Sequence, residues 1–318
     1  MDTSGTPGLA VRLPSPLREL HDDRLVRRDV RLFLKRDDLL HPEVPGNKWR
    51  KLKYNLAEAK RQGHTRLLTF GGAFSNHLRA TAAAGRACGF ETVGVVRGEE
   101  HLPLNTSLSY AARQGMTLTY LDRAAYRGKT EPAVLTALVE RFGPCYVLPE
   151  GGSNGPAVRG CAELPAELPS DLPTEFDAEF DAEADAERVT TASSRVFDVV
   201  CCACGTGGTL AGIASGLATG RALGFAVLNG GRFLDDEVRR LQREAFGTVT
   251  DNWAIDYDFH FGGYAKRTPA LEEFITDFAG RHDLTPDWVY EAKMLYGLFA
   301  RIEAGAFPAG SRIVAVLS

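Results

Sequence analysis

No apolar stretch in the 318-residue sequence approaches the ~18 residues that a membrane-crossing helix needs. The opening MDTSGTPGLAVRLPSPLREL has no apolar h-region either. The reading is therefore a soluble, cytoplasmic protein with no membrane partner. No dense Lys/Arg block occurs, which argues against a nucleic-acid partner. Of the six cysteines (Cys88, Cys145, Cys161, Cys201, Cys202 and Cys204) only Cys201 and Cys204 stand in a CxxC spacing, inside an apolar run and with no second such pair, so no zinc or other metal site is expected. Three of them fall in the apolar run VVCCACG, where adjacent residues of a strand face opposite sides and do not bond to each other. All six read as buried, reduced thiols of a reducing compartment.

Glycine, by contrast, is abundant, at 33 residues, often in pairs such as Gly71-Gly72, Gly151-Gly152, Gly207-Gly208, Gly230-Gly231 and Gly262-Gly263. Such pairs mark tight turns where backbone approaches something closely. Net charge is −4, but eight acids and no base lie between residues 171 and 187. The rest of the chain holds 33 acids against 37 bases. The stretch EFDA-EFDA-EADA has almost no residues of the buried type and reads as a disordered surface insertion. An acidic partner-docking tail is the alternative.

Elsewhere apolar strands alternate with amphipathic helices. About nine strands are expected, from VRLFLKRD near the start to RIVAVLS at residues 312–318. KWRKLKYNLAEAKRQG is a helix with Trp49, Leu52, Leu56 and Ala59 on one face. FAVLNGG and WAIDYDFHF read as strands, AVRGCAELPAEL as helical, and Gly128-Lys129-Thr130 as a loop. The pattern is that of an α/β protein with parallel-rich twisted sheets flanked by helices. Nine strands exceed one comfortable open sheet, so two sheets and two domains are expected. Ligands in such folds sit at the carboxyl ends of strands, where the glycine turns lie.

The most informative turn is FDVVCCACGTGGTLAGIASGL, a strand, a glycine turn and a helix. Gly205, Gly207 and Gly208 let backbone N–H groups converge, and Thr206 and Thr209 add hydroxyls at a helix N-terminus, which suits a phosphate. Leu210 stands where a dinucleotide fingerprint needs glycine, and Asn229 where a ribose-binding acid belongs, so a nicotinamide oxidoreductase is disfavoured. A ligand with a single phosphate fits best. A plain strand-to-helix turn is the bland alternative. Likewise, NKWRK alone reads as an exposed basic helix start, and Ser75 or Asn76 alone as a helix N-cap.

Taken together and in order, GNKWRK, GGAFSNHLRA, PEGGSNGP, CGTGGTLAG, GGYAKRTP and WVYEAK resemble the pyridoxal-phosphate (PLP) enzymes of fold type II. The chain looks most like the group containing 1-aminocyclopropane-1-carboxylate (ACC) deaminase and D-cysteine desulfhydrase. The resemblance runs from about residue 31 to the end, interrupted by the acidic insertion. It implies a tryptophan synthase β-like fold, with residues 1–47 and 153–318 as a larger PLP-binding domain and 48–152 as a smaller one. The insertion would occupy about 165–195.

The resemblance also implies roles. Lys48 matches the Schiff-base lysine, and Lys51 the lysine that reaches the cofactor phosphate. Burial beside another cation lowers a lysine pKa and makes such an amine nucleophilic. Asn76 matches the residue at the PLP 3′-oxygen, with Ser75, Asn76 and His77 gripping the substrate carboxylate. Tyr264 and Tyr290 match aromatic residues near the substrate, although each alone reads as a core aromatic. Glu291 matches the position facing the pyridine nitrogen, where a carboxylate strengthens the electron sink. Gly205 to Thr209 would hold the phosphate, and Ser318 would border the ring.

The substrate signals are mixed. Glu291 agrees with ACC deaminases. Ser318 lies where those enzymes carry Leu and desulfhydrases carry Thr, Trp49 replaces a smaller residue, and His77 replaces the usual Gln. The Gly-Gly that the family carries after this strand does not follow Ser318, which implies a weaker hold on PLP. The leading expectation is an ACC deaminase-like enzyme acting on a small amino acid, to 2-oxobutanoate and ammonia. D-cysteine desulfhydrase is the alternative, and a PLP-binding protein with little catalysis the alternative of another class. The resemblance implies a homodimer.

Overall fold

The computed structural model describes residues 9–171 and 196–318. The acidic repeat, and with it the expectation of disorder, lies outside the described residues. Ten strands occur among the described residues: β1 (Leu17–Leu20), β2 (Val30–Arg36), β3 (Arg66–Gly71), β4 (Glu91–Arg97), β5 (Thr117–Leu121), β6 (Tyr146–Leu148), β7 (Val199–Cys204), β8 (Arg221–Ala226), β9 (Trp253–Asp256) and β10 (Ser311–Leu317). The helices are α1 (Asp23–Val26), α2 (Asn47–Arg61), α3 (Asn76–Cys88), α4 (Thr106–Arg113), α5 (Arg123–Arg127), α6 (Pro132–Phe142), α7 (Gly155–Cys161), α8 (Gly208–Gly216), α9 (Leu234–Phe246), α10 (Pro269–His282) and α11 (Glu291–Glu303).

The strands form two sheets, as expected from their number. One has the order β1-β2-β10-β7-β8-β9 and the other β5-β4-β3-β6. Every pairing is parallel except β1 with β2. Helices cover both faces of the larger sheet, so its central strands are buried on both sides and read as continuous apolar runs. The cysteines of β7 show this directly. Cys202 and Cys204 pack in one apolar cluster and Cys201 in another across the sheet. All six cysteines are unpaired; five are buried and Cys88 is partly so.

Several boundaries differ from the sequence reading. β8 covers 221–226 rather than 225–231, which frees Leu228 and Asn229 to line a cavity. β9 stops at Asp256, where Arg301 of α11 takes the carboxylate at 2.7 Å. α7 ends at Cys161, and a separate 3-10 turn spans 164–167 around Pro165, whose missing N–H interrupts a helix. The edge strand β1 and the short helices α1 and α5 carry too few residues for a periodic pattern to reveal. Trp49, Leu52, Leu56 and Ala59 are buried on α2 as the periodicity requires.

A buried ion cluster fixes α2 to the larger sheet. Arg50, with no exposed surface, donates to Asp37 at 2.6 and 2.9 Å and to Glu167 at 2.7 and 3.0 Å. Lys35 reaches the same Glu167 at 3.0 Å. Because α2 also carries Lys48 and Lys51, this cluster sets where those amines lie.

Candidate active site

The carboxyl ends of both sheets border one cavity of about 1030 Å³. Gly72 follows β3, Arg97 ends β4, Glu150 follows β6, Gly205 follows β7, Asn229 follows β8 and Ser318 follows β10; all line it. This is where a parallel α/β architecture puts its ligands.

Three segments distant in sequence are bonded together on one side. The Asn47 side-chain amide donates to Thr209 Oγ1 at 2.8 Å. Lys51 Nζ donates to the Gly151 carbonyl and to Ser153 Oγ, each at 3.0 Å. Ser153 Oγ and Thr206 Oγ1 share a hydrogen bond of 2.6 Å. The glycine turn is bare for a steric reason. A Cβ on Gly208 would lie 2.6 Å from Ser153 Oγ and 3.2 Å from Lys51 Nζ, and Gly207 has φ +74°. No side chain caps the first turn of α8. Uncapped helix amides beside a lysine make an anion site. Gly205, Thr206, Gly207, Gly208, Thr209, Lys48 and Lys51 all line the cavity there.

Lys48 opens to the cavity and is enclosed by protein elsewhere. Its Nζ lies 2.5 Å from Asn47 Oδ1 and 5.9 Å from the centre of the Tyr290 ring. Burial first, and the charge of Lys51 second, push its pKa from 10.5 down to about 7. Lys51 is lowered too, by burial.

Opposite, Ser75 caps α3 by accepting from the Leu78 amide at 3.3 Å, and Ser75, Asn76 and His77 all line the cavity. His77 is buried, and its Nε2 lies 2.9 Å from Thr69 Oγ1. The Thr69 hydroxyl donates to the Leu148 carbonyl at 3.1 Å, so Nε2 carries the ring proton. His77 Nδ1 has no partner among the described residues. Burial, then the charges of Lys48 and Lys51, hold this imidazole neutral, well below its ordinary pKa.

Tyr264 and Tyr290 form an edge-on pair with ring centres 6.0 Å apart, and both line the cavity. Burial raises both hydroxyl pKa values. Tyr264 sits on a loop in which Phe261, Gly262, Gly263 and Ala265 all have positive φ. Fully buried Lys293 holds that loop by donating to the His260 carbonyl at 3.0 Å and the Gly263 carbonyl at 2.7 Å.

Glu291 is the one expected site residue that does not line the cavity. It lies behind Ser318, accepting from the Ser318 amide at 2.5 Å and the Asp287 amide at 3.0 Å. Burial pushes its carboxyl pKa from 4.5 up to about 7. Gly46 has φ +59° and no room for a side chain, since a Cβ there would fall 2.3 Å from the Ser318 Cα.

Sequence reasoning did not single out Asn47, Ser153, Thr69, Arg97 or Lys293. Asn47 and Ser153 stood inside quoted motifs, GNKWRK and PEGGSNGP, and that was their only signal. Lys293 likewise closed the quoted motif WVYEAK, whereas Thr69 lies within a strand, where its residue type is unremarkable.

Comparison with known proteins bears on the family and the fold. Residues 11–318 match the family described as pyridoxal-phosphate dependent enzyme. A putative 1-aminocyclopropane-1-carboxylate deaminase of Pyrococcus furiosus is 30% identical over 302 residues, 89% of this chain and 82% of that one. A mitochondrial bifunctional D-cysteine desulfhydrase/1-aminocyclopropane-1-carboxylate deaminase of Arabidopsis thaliana is 29% identical over 304 residues, 91% and 72% of the two chains. A crystal structure of an ACC deaminase homologue superposes with a TM-score of 0.79 at 26% identity, covering 98% of this chain and 91% of its own.

Proposed function

We propose a function from one premise: this chain belongs to the pyridoxal-phosphate dependent enzymes. Its activity is deamination or elimination on a small amino acid, with ACC as the leading substrate and D-cysteine as the alternative. Relatives bearing both names support this reading. The observation that carries it is the meeting of Lys48, Lys51 and the glycine turn in one cavity, joined by Asn47, Ser153 and Thr206.

The residues present fit the cofactor. The Gly208 position has no room for a Cβ, the first turn of α8 is uncapped, and Lys51 stands beside it. Lys51, Ser153, Thr206, Thr209 and the α8 amides would hold the phosphate. Lys48, whose amine is half neutral near pH 7, would hold the aldehyde end. Asn76 and Ser318 would border the ring, and Glu291 acts through the Ser318 backbone. Bound there, PLP supplies an electron sink for charge developing at the substrate Cα.

The protein's own groups do the rest. The α3 N-terminus from Ser75 to His77 binds the substrate carboxylate. His77 is neutral and its Nδ1 is buried, so it shapes this end without adding a positive charge beside the carboxylate. Lys48 Nζ accepts the Cα proton in the D-cysteine reaction, which releases pyruvate, sulfide and ammonia. The Tyr264 and Tyr290 hydroxyls, kept protonated by burial, exclude water from that face and are placed to hold a proton near the substrate amine. For ACC the products are 2-oxobutanoate and ammonia.

The same reading makes residues 48–152 one domain and 1–47 with 153–318 the other. It makes the assembly a homodimer, testable by sedimentation. A reducing compartment is in keeping with six unpaired cysteines.

The test is an absorption spectrum of the purified protein, followed by ACC or D-cysteine with oxo-acid detection. Visible absorbance of bound PLP and release of 2-oxobutanoate or pyruvate are expected, both lost in Lys48→Ala. Bound PLP with no turnover of either compound would favour a PLP-binding protein with little catalysis or one specific for a different amino acid. Turnover retained by Lys48→Ala would sink the assignment.

A further inference from the structure

Beyond the phosphate and carboxylate positions, the cavity has a second polar end that neither ACC nor the thiol of D-cysteine uses. It is built by the smaller sheet. Arg97 ends β4, Lys129 and Thr130 follow α5, and Glu150 follows β6. Lys129 is matched by Glu150 at 3.1 Å. Arg97, which is exposed at the cavity mouth, has no protein partner: no hydrogen bond or ion pair engages its guanidinium among the described residues, although Glu99 and Glu100 follow in the same loop. Its contacts are aromatic, with the guanidinium carbon 5.9 Å from the centre of the Tyr126 ring.

The sheet register says where this charge stands. Gly71 pairs with Val96, so the next residues, Gly72 and Arg97, emerge side by side at the carboxyl edge. Gly72 opens the turn that leads to Ser75 and α3. A Cβ on Gly72 would lie 3.4 Å from Arg97 Nη2 and 3.9 Å from Tyr264 Cε1. The guanidinium therefore borders the substrate end of the cavity, beside Tyr264, while the glycine turn lies on the other sheet. The cavity of about 1030 Å³ also reaches the upper end of the usual range for small-molecule sites, roughly 300–1,000 Å³.

We propose that Arg97 selects an amino-acid substrate carrying a second anionic group at the end of its side chain. This rests on the PLP-enzyme reading of the same cavity and names its substrate class. Counting Arg97, Lys129 and Glu150, this end carries one cation in excess, which a distal carboxylate would match by a planar, two-pronged hydrogen-bonded pair. A substrate with a neutral side chain leaves the guanidinium to water. Arg97 binds the substrate's far end and takes no part in proton transfer.

The experiment uses the PLP-loaded protein and two amino acids of equal size, aspartate and asparagine, each as both enantiomers. Binding is followed by the change in bound-PLP absorbance and by calorimetry. Aspartate of one enantiomer should bind about tenfold or more tightly than the matching asparagine, the usual worth of one charge-assisted pair. Arg97→Gln should collapse that ratio to about one, while bound-PLP absorbance is kept. Equal binding of the two amino acids by the wild type, or a preference that survives in Arg97→Gln, would overturn the proposal and leave the PLP reading standing. Failure of the wild type to hold PLP at all would overturn both. Arg97→Lys separates charge from geometry, and a lysine variant that restores less than half of the ratio supports the two-pronged contact.

Discussion

The pH dependence of cofactor capture should follow the neutral fraction of one amine. Only an unprotonated amine attacks an aldehyde. Lys48 is pushed from 10.5 to about 7, chiefly by burial and then by the Lys51 charge. A group with a pKa of about 7 is about half neutral at pH 7 and about one-tenth neutral at pH 6, whereas a free lysine is about one part in 3,000 neutral at pH 7. Cofactor-free protein mixed with PLP, followed by stopped-flow absorbance at constant ionic strength, should show a rate rising about tenfold per pH unit below pH 6. The rate should bend near pH 7 and lie flat above about pH 8. Lys51→Met removes the second cause, so its bend should move to higher pH. Lys48→Ala, run in parallel, subtracts capture by other lysines. A wild-type rate still climbing steeply beyond about pH 9 would refute the reasoning, because it would mean that Lys48 titrates like a solvated lysine.

Other substitutions test the surrounding shell. Gly208→Ala puts a methyl 2.6 Å from Ser153 Oγ and 3.2 Å from Lys51 Nζ. PLP affinity should fall at least about tenfold, roughly 1.4 kcal/mol, with far-ultraviolet dichroism unchanged; undiminished affinity would remove this turn from the phosphate site. Arg50→Met leaves Asp37 fully buried with only the Ser15 hydroxyl, at 2.6 Å, as a side-chain partner. It should cost about 3–5 kcal/mol, read as a lower midpoint of thermal unfolding, and an unmoved midpoint counts against a buried ion cluster that matters. Glu291 keeps its proton to about pH 7 in the fold but releases it near pH 4.5 when unfolded. Between those values the folded state binds more protons, so the stability of the cofactor-free protein should fall as pH rises through that window. Glu291→Gln should flatten this part of the urea-unfolding profile, and an unchanged slope would mean that the carboxyl is not the source.

The sequence by itself determined most of the secondary elements, the class of fold and the place of the glycine turn. These are local matters. Strand and helix periods are written in neighbouring residues, as the buried face of Trp49, Leu52, Leu56 and Ala59 shows, and a glycine turn at a helix start needs no distant partner. Resemblance among ordered motifs then supplied the lysine and the cofactor. Only the tertiary structure decided how these pieces touch. The pKa of Lys48 depends on enclosure by both sheets and on Lys51. The tautomer of His77 depends on Thr69 and on a carbonyl of β6. Glu291 was legible as a site residue, yet the packing of Ser318 sets it back from the cavity. The roles of Lys293, the last residue of WVYEAK, and of Arg97 were illegible for the same reason: a lysine in a helix and an arginine at a strand end look ordinary until the fold buries one and leaves the other unpaired. Desolvation and charge pairing arise from groups far apart in the chain, so no local pattern encodes them.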